Sequence, residues 1–334
     1  MVESARATRW WQGALLVLGA ALFGYLVANI GLADIASSFR TLSWRLLVVL
    51  VFPCLVFKVF DTLGWRFAFP GESEPLLTLM KIRIAGQAVS ATTPTGTLGG
   101  DAVKAWLLRD LVSTRESLVS LIVVKTTMVA SQGLFLAFGV LVARRILALD
   151  TPLIRAMEWL LVLEAIAVGG FLAVQTAGVA GRGERVLRRF GVRTGARAGA
   201  AAEGVDRALA TFYRTRQGSF VLSIACNVLG WLASAGETWL VLRFLGAPVS
   251  VPTALVIEAF GTGVRFATFF VPAQIGVAEG GTVAACVALG LSAATGLSLS
   301  LVRRVREAAW TGIGLLLLAG SPRRSRMMVP VSGA

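Results

Sequence analysis

The chain has no histidine among its 334 residues. That excludes imidazole metal sites and the usual general base of proton-transfer chemistry. Its three cysteines, Cys54, Cys226 and Cys286, all fall in apolar runs without paired spacing. They read as small buried side chains rather than as a disulfide framework or metal cluster. Charge is scarce, at 15% of residues, and one-sided: 32 lysines and arginines face 18 acids, a net charge of +14. Lysine is scarcer still. Only Lys58, Lys81, Lys104 and Lys125 occur, all in the first half, where the compact ammonium has a role distinct from that of arginine. No G-x-x-x-x-G-K-[ST] phosphate loop is present, so the sequence carries no signature of nucleotide-driven work.

What remains is apolar. Hydrophobic residues make up 56% of the chain, and mean hydropathy is +0.77. That composition defines an all-α polytopic membrane protein. The apolar runs are long and continuous rather than alternating, which excludes an outer-membrane barrel. In this setting the positive charge points to cytoplasmic loops and anionic head groups, not to nucleic acid. Six segments are long enough to span, about 11–30, 44–67, 117–143, 153–178, 219–245 and 296–318. The first reads as an uncleaved anchor, because it is long for a signal peptide and lacks a clear cleavage site. Trp10, Trp11, Trp44, Trp65 and Trp159 lie near segment ends, as interfacial belts do.

Four shorter apolar segments form two pairs, 76–92 with 102–110 and 253–270 with 275–290. Each pair is joined by an interruption. The first is Pro94-Thr95-Gly96-Thr97-Leu98-Gly99-Gly100-Asp101, and the second is Pro272-Ala273-Gln274-Ile275-Gly276-Val277-Ala278-Glu279-Gly280. In both, an acid follows the proline by seven residues, and a basic residue, Lys125 or Arg303, follows the acid by 24. Each pair reads as a broken helical hairpin, either re-entrant or crossing twice. Arg66-Phe67 and Pro75 recur as Arg243-Phe244 and Pro252, and Ser120-Leu121 recurs as Ser298-Leu299. The expectation is one integral-membrane domain over 1–334. Within it, repeat halves at 44–143 and 219–318 flank a cytoplasmic linker at 181–217.

Orientation follows from arginine. The 181–217 stretch carries nine arginines against three acids, Arg323, Arg324 and Arg326 close the chain, and 246–252 and 290–298 carry no charge. The positive-inside rule places the linker and both termini in the cytoplasm, which inverts one half relative to the other. Arg144 and Arg145 fall on the outer side of this scheme. Arg185, Arg188 and Arg189 fit either a surface helix against anionic lipid or a solvated loop.

Broken backbone at membrane depth must face protein or a wet cavity. A helix restarting after Gly99-Gly100 would point its positive end at an anion, with Asp101 as N-cap. The plain alternatives are a structural cap at Asp101 and helix packing at Gly276-x-x-x-Gly280. Lys58, Asp61, Arg83, Asp101, Lys104, Lys125, Glu237, Glu258, Arg265, Glu279, Arg303 and Glu307 lie in or beside apolar segments. Each costs at least about 2.5–3.5 kcal/mol at membrane depth and so calls for a partner or a wet path. Lys58 and Lys81 are expected to snorkel. Asp101 with Lys104, and Arg303 with Glu307, have the spacing of local ion pairs. The candidate substrate-binding residues are Arg83, Pro94, Gly99, Gly100, Asp101, Lys104, Lys125, Arg265, Pro272, Gly276, Glu279 and Arg303. An inverted fold would bring the two hairpin tips together around them.

The stretch from Ala91 to Leu108, with Pro94, Gly99-Gly100-Asp101 and Lys104, resembles the first signature of the lysylphosphatidylglycerol synthase transmembrane (flippase-like) family. Val271 to Gly280 resembles the second, and Arg303 in Leu301-Val302-Arg303-Arg304 resembles the basic residue of the last core helix. Lys104 stands where arginine is more usual and keeps the charge. The resemblance covers about 40–320. It implies movement of lipids between leaflets of a bacterial plasma (inner) membrane. Short stand-alone members are also similar to proteins associated with hopanoid or glycolipid production. Aminoacylation is not implied, because the aminoacyl-transferase domain of those flippases is not in this sequence.

The leading expectation is a lipid flippase or transporter for a phospholipid or lipid-linked precursor with an anionic head group. No catalytic residue, metal or cofactor is expected, and lipid-biosynthesis enzymes are candidate partners. An integral-membrane transferase using Asp101 or Glu279 as base, and a non-catalytic scaffold of a biosynthetic complex, are the alternatives. The topology has a direct test. Single cysteines at Arg193 and Ser250, in a background lacking Cys54, Cys226 and Cys286, should label from opposite membrane faces. Labelling of both from outside would reject the inverted scheme.

Overall fold

Helix is the only spanning solution open to chain segments this apolar, because lipid offers the backbone no hydrogen-bond partner. The structure, a computed structural model, describes residues 45–93, 97–176, 196–271 and 274–321, and these fold into ten helices. They are α1 (Arg45–Phe67), α2 (Leu76–Thr92), α3 (Thr97–Leu108), α4 (Thr114–Ile146) and α5 (Pro152–Thr176). After these come α6 (Ala196–Thr215), α7 (Gln217–Phe244), α8 (Val251–Ala267), α9 (Val277–Ala288) and α10 (Ala293–Ala319). The segment 11–30, Trp10, Trp11, Trp44, Pro94, Pro272, Arg185, Arg188, Arg189 and the C-terminal arginines lie outside the described residues. So does the part of the 181–217 linker before residue 196.

Three helices, α4, α5 and α7, are long and apolar enough to cross a membrane by themselves. Helix α10 has the length, but Arg303, Arg304, Arg306 and Glu307 sit in its middle. On α5, Trp159 and Ile166 are exposed, as lipid-facing side chains are. Trp65 departs from the belt expected of it. It is fully buried, and its Nε1 donates to Ser120 Oγ at 3.2 Å. A tryptophan with its one donor satisfied internally has no need of the interface.

The chain forms two compact units. One comprises, among the described residues, 59–93, 97–131, 166–176, 196–227 and 310–321 and contains the first hairpin, α2 packed on α3. Its core gathers Trp65, Phe69, Leu79, Leu108, Val119 and Leu121 with Leu209 and Phe212 of α6. The other comprises, among the described residues, 45–58, 132–165, 228–271 and 274–309 and contains the second hairpin, α8 packed on α9. There Phe135 stacks on Trp231 at 6.3 Å between ring centroids, and a Cβ at Gly263 would lie 3.1 Å from Leu160. The charge of Arg144, which the positive-inside scheme left on the outer side, is offset, because its Nη2 bonds Glu158 at 2.6 Å.

The α2–α3 hairpin closes on small residues. A Cβ on Gly100 would run into Ser90 Oγ and the Gly86 carbonyl oxygen. Gly100→Val should therefore separate the two helices, at about 1–3 kcal/mol for overpacking. The expected result is a reduced monodisperse fraction in size-exclusion chromatography. Gly170→Ala, into open space on α5, should leave it unchanged.

Candidate functional site

Charges in apolar helices are the residues the fold must accommodate, and each unit collects its own. In the first hairpin's unit, Arg83 of α2 makes a bidentate pair with Asp61 of α1, both buried. Gln87, one turn further along α2, donates Nε2 to the same carboxylate at 3.3 Å. The Arg83 guanidinium lies over the Trp65 ring at 5.6 Å, and its Nη1 has no hydrogen-bond partner among the described residues. Asp101 of α3 accepts from Lys104 at 3.0 Å and pairs with Lys125 of α4. Lys104 and Asp101 are mostly buried, whereas the Lys125 side chain is 42% exposed.

Three local expectations are corrected here. Helix α3 begins at Thr97, so Gly99 and Gly100 lie in its first turn instead of preceding it. Asp101 therefore sits inside the helix and is not its N-cap. Its side chain is turned sideways to two ammonium groups, a stronger attraction than a backbone cap provides. Lys58 does not snorkel outward but is buried, whereas Lys81 is exposed. The local pair expected between Arg303 and Glu307 forms one residue later, from Arg304 to Glu307 at 3.5 Å.

The second unit holds a larger network. Glu258 of α8 is buried and pairs with Arg303 of α10 and with Arg265 at 3.0 Å. It also accepts from Ser234 at 2.9 Å and Thr238 at 2.8 Å, both on α7. Glu279 of α9 pairs with Arg304, not Arg303, at 2.6 Å. Its other oxygen accepts the Gly276 backbone N–H at 2.7 Å. Gly276 has φ +80, a left-handed conformation glycine adopts without strain, so this tip is a capped helix start. Gln274, also left-handed, donates Nε2 to the Arg265 carbonyl at 2.6 Å and ties the end of α8 to the tip. Glu237 of α7 pairs with Arg306.

The two units share a pattern. The acid on the second hairpin arm pairs with a cation on the next long helix, Asp101 with Lys125 and Glu279 with Arg304. They differ in balance. Arg265, Arg303, Arg304 and Arg306 meet Glu237, Glu258, Glu279 and Glu307, four against four. In the first, Arg83, Lys104 and Lys125 meet only Asp61 and Asp101, three against two. Sequence reasoning passed over Arg304, Arg306, Gln87, Thr238 and Glu164. The arginine run from 303 to 306 inside an apolar helix was the available signal for the first two. Glu164 of α5 is buried, and neither of its carboxylate oxygens has a hydrogen-bond partner among the described residues. An acid in the apolar middle of a 25-residue helix, beyond Glu158 near its start, was its signal. No group of three or more potential metal ligands occurs among the described residues.

A helical membrane protein with paired charges set into broken hairpins is the class these features define. The family model described as "Lysylphosphatidylglycerol synthase TM region" matches residues 10–314, and the chain belongs to that family. No curated protein matches the chain, and no solved structure does either. The family context is membrane-lipid chemistry.

Burial separates the cations by role. Glu258→Leu should leave Arg265 and Arg303 unpaired in a dry site, at roughly 3–5 kcal/mol, and abolish recovery of folded protein. Lys125→Ala, at a half-exposed position, should give near wild-type yield and thermal stability in detergent. Equal losses in the two variants would refute this division.

Proposed function

We propose that the protein moves a phospholipid or lipid-linked precursor with an anionic head group between leaflets, and that the first unit's charge cluster receives the head group. The observation that carries this is the cation excess there, with Lys125 half exposed and paired, among the described residues, with Asp101 alone. An apolar site with one uncompensated cation is short of one anion, and a phosphodiester supplies one negative charge. Asp101 holds the two ammonium groups in place while the site is empty. A phosphate then takes over Lys125 and brings the cluster to three charges of each sign. The second unit, whose arginine–glutamate network is balanced, serves as scaffold and counterpart to the moving hairpin. The recurrence of the acid-to-next-helix pair supports an inverted repeat, the usual basis of alternating access. The bacterial plasma membrane, with both termini in the cytoplasm, is the location that fits this reading. The proposal includes no covalent chemistry on the lipid.

The test is leaflet exchange of labelled lipids by purified protein in liposomes, beside a product assay for chemical modification. Lys125→Ala removes a charge-assisted contact of about 1.5–3 kcal/mol and should slow exchange roughly tenfold or more. Lys125→Arg should retain most of it. Wild-type exchange in Lys125→Ala would overturn the assignment of the head-group site. Modified lipid in the product assay would replace transport with enzymatic transfer.

A further inference from the structure

The first hairpin's unit carries a second basic feature, built from other residues than the charges above. A cleft of about 380 Å³ opens between α6 and the start of α4, lined by Pro70, Arg115, Arg207, Thr211, Phe212 and Arg216 among others. It contains three arginines and no acid. None of the three makes an ion pair among the described residues. Arg207 donates only to the Glu203 carbonyl, at 3.4 Å. Glu116, next to Arg115 in sequence, is occupied in the α4 cap, where it bonds Ser113 Oγ at 2.7 Å and the Ser113 backbone N–H at 3.2 Å. Glu203 and Asp206 of α6 do not line the cleft.

The cleft is built on fixed elements. Leu209 and Phe212 anchor α6 in the unit's core. The Arg115 stem lies along α6, with Cδ 3.8 Å from where a Cβ of Gly204 would be. Arg115 is in the first turn of α4, and Arg216 immediately precedes α7. Both α4 and α7 are long and apolar enough to span. Their starts meet in one cleft, so they lie on the same membrane face, as the two crossings by α4 and α5 require. That puts the arginines at head-group level.

The arrangement is unfavourable while empty. A helix N-terminus carries about half a positive charge, and a cation there is repelled. Three guanidinium groups without an ion-pair partner among the described residues share this space, and whereas Glu116 offsets the α4 end, α7 has no acid in its first turn. An anion would relieve all of these repulsions together.

We propose that this cleft is a phosphate-binding site at the membrane surface, distinct from the transport cluster, and that its occupant is the phosphate of an anionic lipid head group. It acts as a docking or regulatory site and stands whether or not the protein transports lipid.

The test uses the full chain in detergent with Arg115→Gln, Arg207→Gln and Arg216→Gln combined. Arg214→Gln, exposed on the same helix but outside the cleft, is the control. Retention of phosphatidylglycerol and phosphatidylcholine is measured by native mass spectrometry, with and without millimolar inorganic phosphate. Size-exclusion profiles verify folding, and the single substitutions replace the triple variant if it misfolds. Wild type and Arg214→Gln should retain phosphatidylglycerol over phosphatidylcholine, and the triple variant should lose this preference by on the order of tenfold or more. Retention unaffected by phosphate supports the lipid as source. Displacement by phosphate with no lipid preference supports a phosphate site but overturns the lipid as its occupant. Equal retention in wild type and the triple variant, or equal weakening in Arg214→Gln, overturns the site.

Discussion

A charge inside an apolar helix must find an opposite charge, and the packing of both units depends on this requirement. Unpaired, such a group costs several kcal/mol, comparable to the whole net stability of a domain. Apolar side chains alone select weakly among helix rotations, because one leucine–valine surface packs much like another and lipid competes for it equally. The pairs Asp61–Arg83, Glu258–Arg303, Glu279–Arg304 and Glu237–Arg306 remove that freedom. Each allows one rotation of the two helices it joins. Hydroxyls from Ser234 and Thr238 then complete the shell around Glu258, so the carboxylate has no unfilled direction.

The two hairpins use their acids differently. Glu279 bonds the backbone of its own tip as well as Arg304, so it holds the turn and the neighbouring helix with one side chain. Asp101 makes no such cap and gives its oxygens to two lysines. The second arrangement can exchange a partner for an incoming phosphate without unfolding a turn, whereas the first cannot. Lysine suits an exchangeable site, since a point-like ammonium carries no fixed fork geometry to break. The confinement of all four lysines to the first half acquires a physical reason if that half handles the ligand.

Helix α6 shows how a polar segment is incorporated into a membrane fold. One face, through Leu209 and Phe212, enters the core beneath the first hairpin. The other carries exposed arginines. From residue 196 on, a segment whose composition reads as a linker is therefore partly structural, and it holds Arg207, Arg214 and Arg216 at defined places.

The helical membrane class, the five described long helices and the two hairpins were legible in the sequence. They follow from runs of apolar residues and from proline and glycine, whose effects on the chain are local. Helix ends fell within a few residues of expectation for the same reason; only α3 began much earlier, because glycine in a first turn does not stop a helix. Which charges pair was not legible. Arg303 and Arg304 differ by a single position, about 100° around α10, and only the placement of α8 and α9 sends one to Glu258 and the other to Glu279. The burial of Trp65, the unpartnered Glu164 and the arginine cleft between α4 and α6 belong to the same category. Each depends on residues far apart in the chain meeting in space, and that is decided by packing.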